Sequence, residues 1–172
     1  MQSSLLFRYS MFIVCVNLLL YSCSQNESTA YKSTDHVELS SSTVKQIMNT
    51  DSAPKALGPY NQAVRFGELV FVSGQIAIDP STGIVMNELD IEEQSILILQ
   101  NLQSILRAQE LDFKDVLKTT VYLTNMEDYS KFNSIYAKYF DKEFAPARVL
   151  VEVAALPAGV QVEISLIAGV SK

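Results

Sequence analysis

A chain of 172 residues, 48% hydrophobic and 19% charged, is long enough to bury the core of one globular domain. Its formal net charge is −6, and because Arg8, Lys32 and Lys45 balance Glu27, Asp35 and Glu38, the whole excess falls beyond residue 50. An acidic domain with no basic run interleaved with aromatics repels a phosphate backbone, which argues against nucleic acid as a partner.

Residues 11–20 (MFIVCVNLLL) form an apolar stretch behind Arg8, the layout of a bacterial signal peptide and too short to span a bilayer comfortably. It closes in Leu20-Tyr21-Ser22-Cys23, which resembles the lipobox of bacterial lipoproteins, where the Cys thiol is acylated and becomes the new N-terminus. Residues 1–23 therefore read as an export leader with Cys23 as its lipidation site. The mature protein is expected to be membrane-anchored on the periplasmic or cell-surface side, touching the membrane only through its lipid. Tyr21 replaces the small residue usual at its position and the leader is weakly basic, so cleavage without lipidation and retention as an N-terminal anchor stay open. A leader that does not function would leave the protein cytoplasmic.

Both cysteines, Cys15 and Cys23, belong to this leader, so the rest of the chain has no thiol for a disulfide, a zinc site or a nucleophile. Residues 24–43 are Ser, Thr and charged residues without an apolar period and read as a solvated tether. His36, the single histidine, sits there and reads as a solvated side chain, leaving residues 44–172 as a domain without imidazole chemistry.

Within that domain a strand near Asn61–Phe66 is expected to pair through Gly67-Glu68 with a second strand, Leu69–Ile78, which ends at the turn cluster Asp79-Pro80-Ser81-Thr82-Gly83. From Asp90 the period becomes helical, with Ile91, Ser95, Ile98, Leu102, Ile105 and Leu106 on one face and a capping-box start at Asp90 and Glu93. Val116–Thr124 returns to strand composition. Glu127–Phe140 is then expected as a helix carrying Tyr129, Phe132, Tyr136, Tyr139 and Phe140 on one face. Two last strands, Arg148–Ala154 and Val160–Ala168, flank Leu156-Pro157-Ala158-Gly159. This order implies an α+β sandwich of two layers, a mixed sheet with both helices on one face. The final strand sets Val160, Val162, Ile164, Leu166 and Ala168 against Gln161, Glu163, Ser165 and Ile167, so the uncovered sheet face is semi-polar and suits a subunit interface.

Four places in this frame could carry chemistry. Arg148 opens a strand, where its planar fork could hold a carboxylate bidentately or form an interface ion pair with Glu152 or another acid. Glu163, between Val162 and Ile164, must be solvated, paired as a structural acid, or held with a raised pKa as a proton shuttle. Asn133 interrupts an apolar helical face, as a satisfied amide or a directed hydrogen-bonding group. Gly74, in Ser73-Gly74-Gln75, permits either a simple bulge or the close approach of a ligand.

Ala56-Leu57-Gly58-Pro59-Tyr60, Val70-Phe71-Val72-Ser73-Gly74-Gln75, Thr119–Thr124 (TTVYLT), Pro146-Ala147-Arg148 and Val151–Pro157 (VEVAALP) occur in this order along residues 44–168. In these motifs the chain resembles the RidA/YjgF family of reactive-intermediate deaminases. The resemblance implies a chorismate-mutase-like fold and a homotrimer whose sheets line a central barrel, with sites in clefts between subunits. By the matching motifs it implies that Arg148 holds a substrate carboxylate and that Glu163 positions or deprotonates the attacking water. It also implies that Tyr60, Ser73 and Asn133 line the pocket and that backbone groups at Gly74 and Leu150 complete it. The implied reaction is hydrolysis of a small 2-imino acid, such as 2-iminobutanoate or 2-iminopropanoate, to a 2-oxo acid and ammonia, with neither metal nor organic cofactor. Many members of that family carry Cys where this chain has Leu150, and most have no leader. Two other readings remain: a lipoprotein that binds a small carboxylate in the same cleft without turnover, and the ribonuclease or translation-inhibitor activity also attributed to the family.

Overall fold

The computed structural model describes residues 44–170; residues 1–43, expected as leader and tether, with Cys23 and His36, lie outside the described residues. Strands β1 (Gln46–Met48), β2 (Ala63–Phe66), β3 (Leu69–Gln75), β4 (Val116–Leu123), β5 (Ala147–Glu152) and β6 (Val162–Gly169) form one sheet in the order β1-β2-β3-β6-β4-β5. Neighbours run antiparallel except β4 and β5, which are parallel and joined by helix α2 (Tyr129–Tyr136), as a parallel pair requires a crossover. Helix α1 (Ile91–Arg107) packs beside α2 on the same sheet face. This is the two-layer α+β architecture expected from the sequence.

The alternation in β6 explains why the helices choose that face. Val162, Ile164, Leu166 and Ala168 are all buried and meet Ile98, Leu102 and Phe132 in one core, whereas Glu163, Ser165 and Ile167 point the other way and stay partly open. Direct cross-strand partners share a face, so Thr119, Val121 and Leu123 of β4 look at the helices and Lys118, Thr120 and Tyr122 look away. On the outer face Phe71 of β3 and Val149 and Val151 of β5 remain 42%, 46% and 40% exposed, apolar side chains on either side of a strip that carries Lys118, Thr120 and Ser165.

Local chemistry sets the ends of the elements. Asp90 caps α1 by accepting from the Glu92 and Glu93 amides while the Glu93 carboxylate accepts from the Asp90 amide, the capping box read from the sequence. Gly67 supplies the φ of 63° needed at the first position of the two-residue turn between β2 and β3.

Some boundaries differ from expectation. β3 stops at Gln75 because a register shift between Val72 and Gln75 turns the chain out of the ladder, and Ile78 makes only an isolated bridge to Val85. The helix expected over 127–140 is an α-helix only over Tyr129–Tyr136, preceded by a 3-10 turn at Met126–Asp128; Phe140 still reaches the core by stacking on Tyr136. β1, a three-residue edge strand, is too short to show a period in the sequence.

Candidate functional site

Two groups of functional side chains form, one on each side of the sheet. The first surrounds an open cleft of about 470 Å³ lined by Pro54, Leu57, Tyr60, Ser73, Gly74 and Glu163, among others. Gln62 ties its walls together. The buried side-chain amide donates to the Thr50, Ala53 and Pro54 carbonyls and accepts from the Thr50 amide, which fastens the segment leading into Pro54–Leu57. The Gln62 carbonyl accepts from the Ser73 amide, and the Ser73 hydroxyl donates to the Asn61 carbonyl at 2.6 Å. The Tyr60 hydroxyl oxygen accepts from the Leu57 amide at 3.2 Å, which leaves its own O–H available as a donor.

Gly74 and Glu163 are coupled by sterics. The bulge at Ser73-Gly74 brings the Glu163 carboxylate over Gly74, where any Cβ would overlap it. Of the simple bulge and the close approach of a ligand that the sequence offers, the bulge forms, and the group lying over Gly74 is the protein's own carboxylate. Among the described residues no cation and no hydrogen-bond donor pairs with Glu163, so the paired structural acid is not what forms. Burial pushes its carboxyl above the usual range.

The second group lies on the helix face. Arg148 pairs with Thr119 across β4 and β5, and so shares the side of Val121 and Leu123. Its Nη1 donates to Asn133 Oδ1 at 2.9 Å and its Nη2 to the Tyr129 hydroxyl at 3.4 Å, while the guanidinium carbon sits 4.7 Å over the Tyr136 ring centroid. Within one copy Arg148 and Glu152 form no ion pair; Glu152 Oε2 accepts from the Met126 amide at 2.7 Å. Asn133 is a directed acceptor, and the cation is held among the described residues by neutral groups alone. Leu150, two residues on, takes the same face and packs partly buried against the core.

Tyr60, Ser73, Gly74 and Glu163 are therefore brought together, and so are Arg148 and Asn133 with Leu150 beside them. One copy of the chain does not unite the two groups, because Glu163 and Arg148 point to opposite sides of one sheet. Gln62, Thr119, Tyr129 and Tyr136 were not among the candidates read from the sequence. Tyr129 and Tyr136 stand four before and three after Asn133, which marks a shared helical face but cannot reveal an arginine across it.

Fold and site together define a small α+β domain with an open carboxylate-bearing cleft on one sheet face and an unneutralised arginine on the other. Residues 50–170 match the family described as Endoribonuclease L-PSP, and the chain belongs to that family. Among its relatives, a RutC family protein of Pyrococcus horikoshii is 46% identical over 125 residues, covering 73% of this chain and 98% of the relative. Reactive Intermediate Deaminase A of Arabidopsis thaliana, a chloroplastic protein, is 43% identical over 128 residues, 74% of this chain and 67% of the relative. Of the solved structures, Escherichia coli TdcF with bound serine has a TM-score of 0.68 at 41% identity, covering 73% of this chain and 99% of the other. RidA of an Antarctic Psychrobacter has a TM-score of 0.69 at 36% identity, covering 73% and 99%. The resemblance read from the motifs is thus borne out for family and fold, and a named deaminase among the relatives supports imine-deaminase chemistry at the level of the family.

Proposed function

We propose that the protein hydrolyses small 2-imino acids, of the 2-iminobutanoate and 2-iminopropanoate type, to 2-oxo acids and ammonia. Its working site is a cleft between neighbouring copies of a homotrimer. The observation that carries this reading is Arg148, a guanidinium fixed by Asn133, Tyr129 and Tyr136 with no acid among the described residues to neutralise it. A fork oriented by neutral groups keeps its charge for a ligand carboxylate. The relative crystallised with serine, itself an α-carboxylate, is consistent with such a ligand.

In the proposed cycle the imino acid's carboxylate is anchored by Arg148 of one copy, and its C=N carbon faces Tyr60, Ser73 and Glu163 of the next. Glu163 accepts a proton from the water as its oxygen adds to that carbon and passes it to the nitrogen, giving the neutral carbinolamine. Glu163 then takes the carbinolamine O–H proton and delivers it to the nitrogen as the C–N bond breaks, so that the C=O forms and ammonia leaves. A carboxyl with a raised pKa suits both directions of transfer, and the free Tyr60 O–H can donate to the developing oxygen. The imine is already electrophilic, so orientation, a water and a proton shuttle suffice, and the proposed chemistry calls for no cofactor. The exposed apolar side chains Phe71, Val149 and Val151 on the outer face support burial against further copies, with the outer faces lining a central barrel. The leader reading extends this proposal to an exported protein anchored through acylated Cys23.

The test is turnover of freshly generated 2-iminobutanoate by the wild type and by Arg148→Ala. Acceleration over spontaneous hydrolysis that falls away in the variant is expected. Binding of 2-oxo acids with no acceleration by the wild type would replace the enzyme with the carboxylate-binding lipoprotein.

A further inference from the structure

The two polar contacts of Arg148 set the rotation of the guanidinium within its own plane. Neither sets the tilt of that plane, because a single N–H···O bond leaves a hinge about its axis and the contact to Tyr129 is long at 3.4 Å. The tilt decides where a bidentate ligand must lie, since both N–H donors of the fork point in the guanidinium plane. What opposes tilting is an aromatic face: the guanidinium carbon lies 4.7 Å from the Tyr136 ring centroid, and the Tyr129 ring is farther off at 6.0 Å.

Tyr136 is itself held on several sides. It is 6% exposed, stacks on Phe140 at 4.3 Å with the rings inclined by 24°, and lies against Phe132 at 5.6 Å. Its hydroxyl shares a buried 2.8 Å hydrogen bond with Thr119 Oγ1. Thr119 is the residue paired with Arg148 across the parallel ladder, so strand β4 fixes the ring and strand β5 carries the cation that rests on it. A displacement of the ring relative to the arginine would have to break the hydroxyl bond or shift the ladder.

We propose that Tyr136, locked by Thr119, is the positioning residue of the carboxylate anchor: its ring sets the plane of the Arg148 guanidinium and thereby the approach of the ligand carboxylate. Tyr136 acts through Arg148 and need not touch the ligand. The inference rests on the reading of Arg148 as that anchor.

The experiment is a double-mutant cycle on the full chain, with the Kd of 2-oxobutanoate from calorimetry, KM and kcat for 2-iminobutanoate, and thermal melts. Tyr136→Leu removes the aromatic face and should raise Kd and KM about 10-fold, the size of one good cation–π contact, while kcat moves much less. Tyr136→Phe keeps the face and should stay within about 3-fold of wild type, while the comparison with and without Arg148 separates positioning from a general packing defect. In an Arg148→Ala background, Tyr136→Leu should add nothing to Kd, because the group it positions is gone. Thr119→Val keeps the volume and loosens the ring; it should raise Kd by about 3-fold and likewise lose its effect without Arg148, which covers the case of an unfolded leucine variant. Equal losses with and without Arg148, or a Kd unchanged in Tyr136→Leu, would overturn the proposal. If Arg148→Ala itself left Kd unchanged, the anchor reading would fail first, and the single variant reveals that before the cycle is closed.

Discussion

Arg148 and Glu163 leave opposite faces of the same sheet, Arg148 in register with buried Thr119 and Glu163 in register with outward-facing Tyr122. Strand geometry makes this separation rigid, because moving either side chain to the other face requires a one-residue slip of a whole strand and would expose its core face. A reaction that uses both groups on one ligand must therefore draw them from two copies. With residues 1–43 removed, the protein should elute and scatter light as a trimer, and Val149→Asp on the outer face should dissociate it and abolish turnover. A stable wild-type monomer at micromolar concentration that still hydrolyses the imine would refute the shared cleft.

Arg148→Ala and Arg148→Lys should both lose most imine hydrolysis while remaining folded. Lysine keeps the charge but not the planar fork, and losing a charge-assisted pair costs on the order of 2–5 kcal/mol, at least about 30-fold in rate. Semicarbazide-trapped imine measured against released 2-oxo acid checks this; near-normal turnover in Arg148→Lys would mean that point charge is enough.

Glu163 links activity, stability and pH in opposite directions. Its carboxyl is raised above the ordinary value by burial, so the folded state binds the proton more tightly than the unfolded chain. That contribution to stability is fully present below the unfolded pKa and is lost as pH rises through the folded one. Glu163→Gln should therefore melt at least as high as wild type at pH 8 while lowering kcat, with carboxylate affinity nearly unchanged, and the acidic limb of the wild-type pH–rate profile should disappear in the variant. Melting curves at pH 4 and pH 8 beside the rate profiles provide the check; an acidic limb retained by Glu163→Gln would assign proton transfer to another group.

Gly74→Ala tests the same carboxylate from its other side. The added Cβ overlaps the end of a flexible side chain and not the backbone, so the fold should survive with little change in melting temperature while Glu163 swings away. Turnover should fall about 100-fold, the lower end of what a positioned general acid–base contributes. Unchanged turnover would show that Glu163 works from a position other than the one over Gly74.

Cys23→Ser in the full-length chain should abolish membrane fractionation without altering the domain's melting temperature, since acyl chains supply the membrane affinity. Fractionation that persists in the variant would point to retention of the leader as an anchor.

Much of the fold was legible along the chain because burial imposes local periods. The alternation of Val162 through Ala168, the helical spacing of Ile91 through Leu106 and the capping pair Asp90 and Glu93 each state their role within a few residues. The same patterning showed that the face bearing Glu163 and Ser165 differed from the one bearing Ile164, and motif order carried the family. What the chain could not show were relations between elements far apart in sequence. That Arg148 rests on Tyr136 and leaves Glu152 to the Met126 amide depends on the parallel register of β4 and β5 and on where α2 crosses them. That Gln62 joins both walls of one cleft depends on contacts 8 to 12 residues apart, and that the Glu163 carboxylate lies over Gly74 depends on a bulge and on the pairing of strands far apart in the chain, which no periodicity encodes. Sequence patterning determines which face of each element is buried, because hydration acts on every residue locally; which functional groups meet is decided by register and packing, because directed contacts of a few ångströms exist only once the elements are assembled.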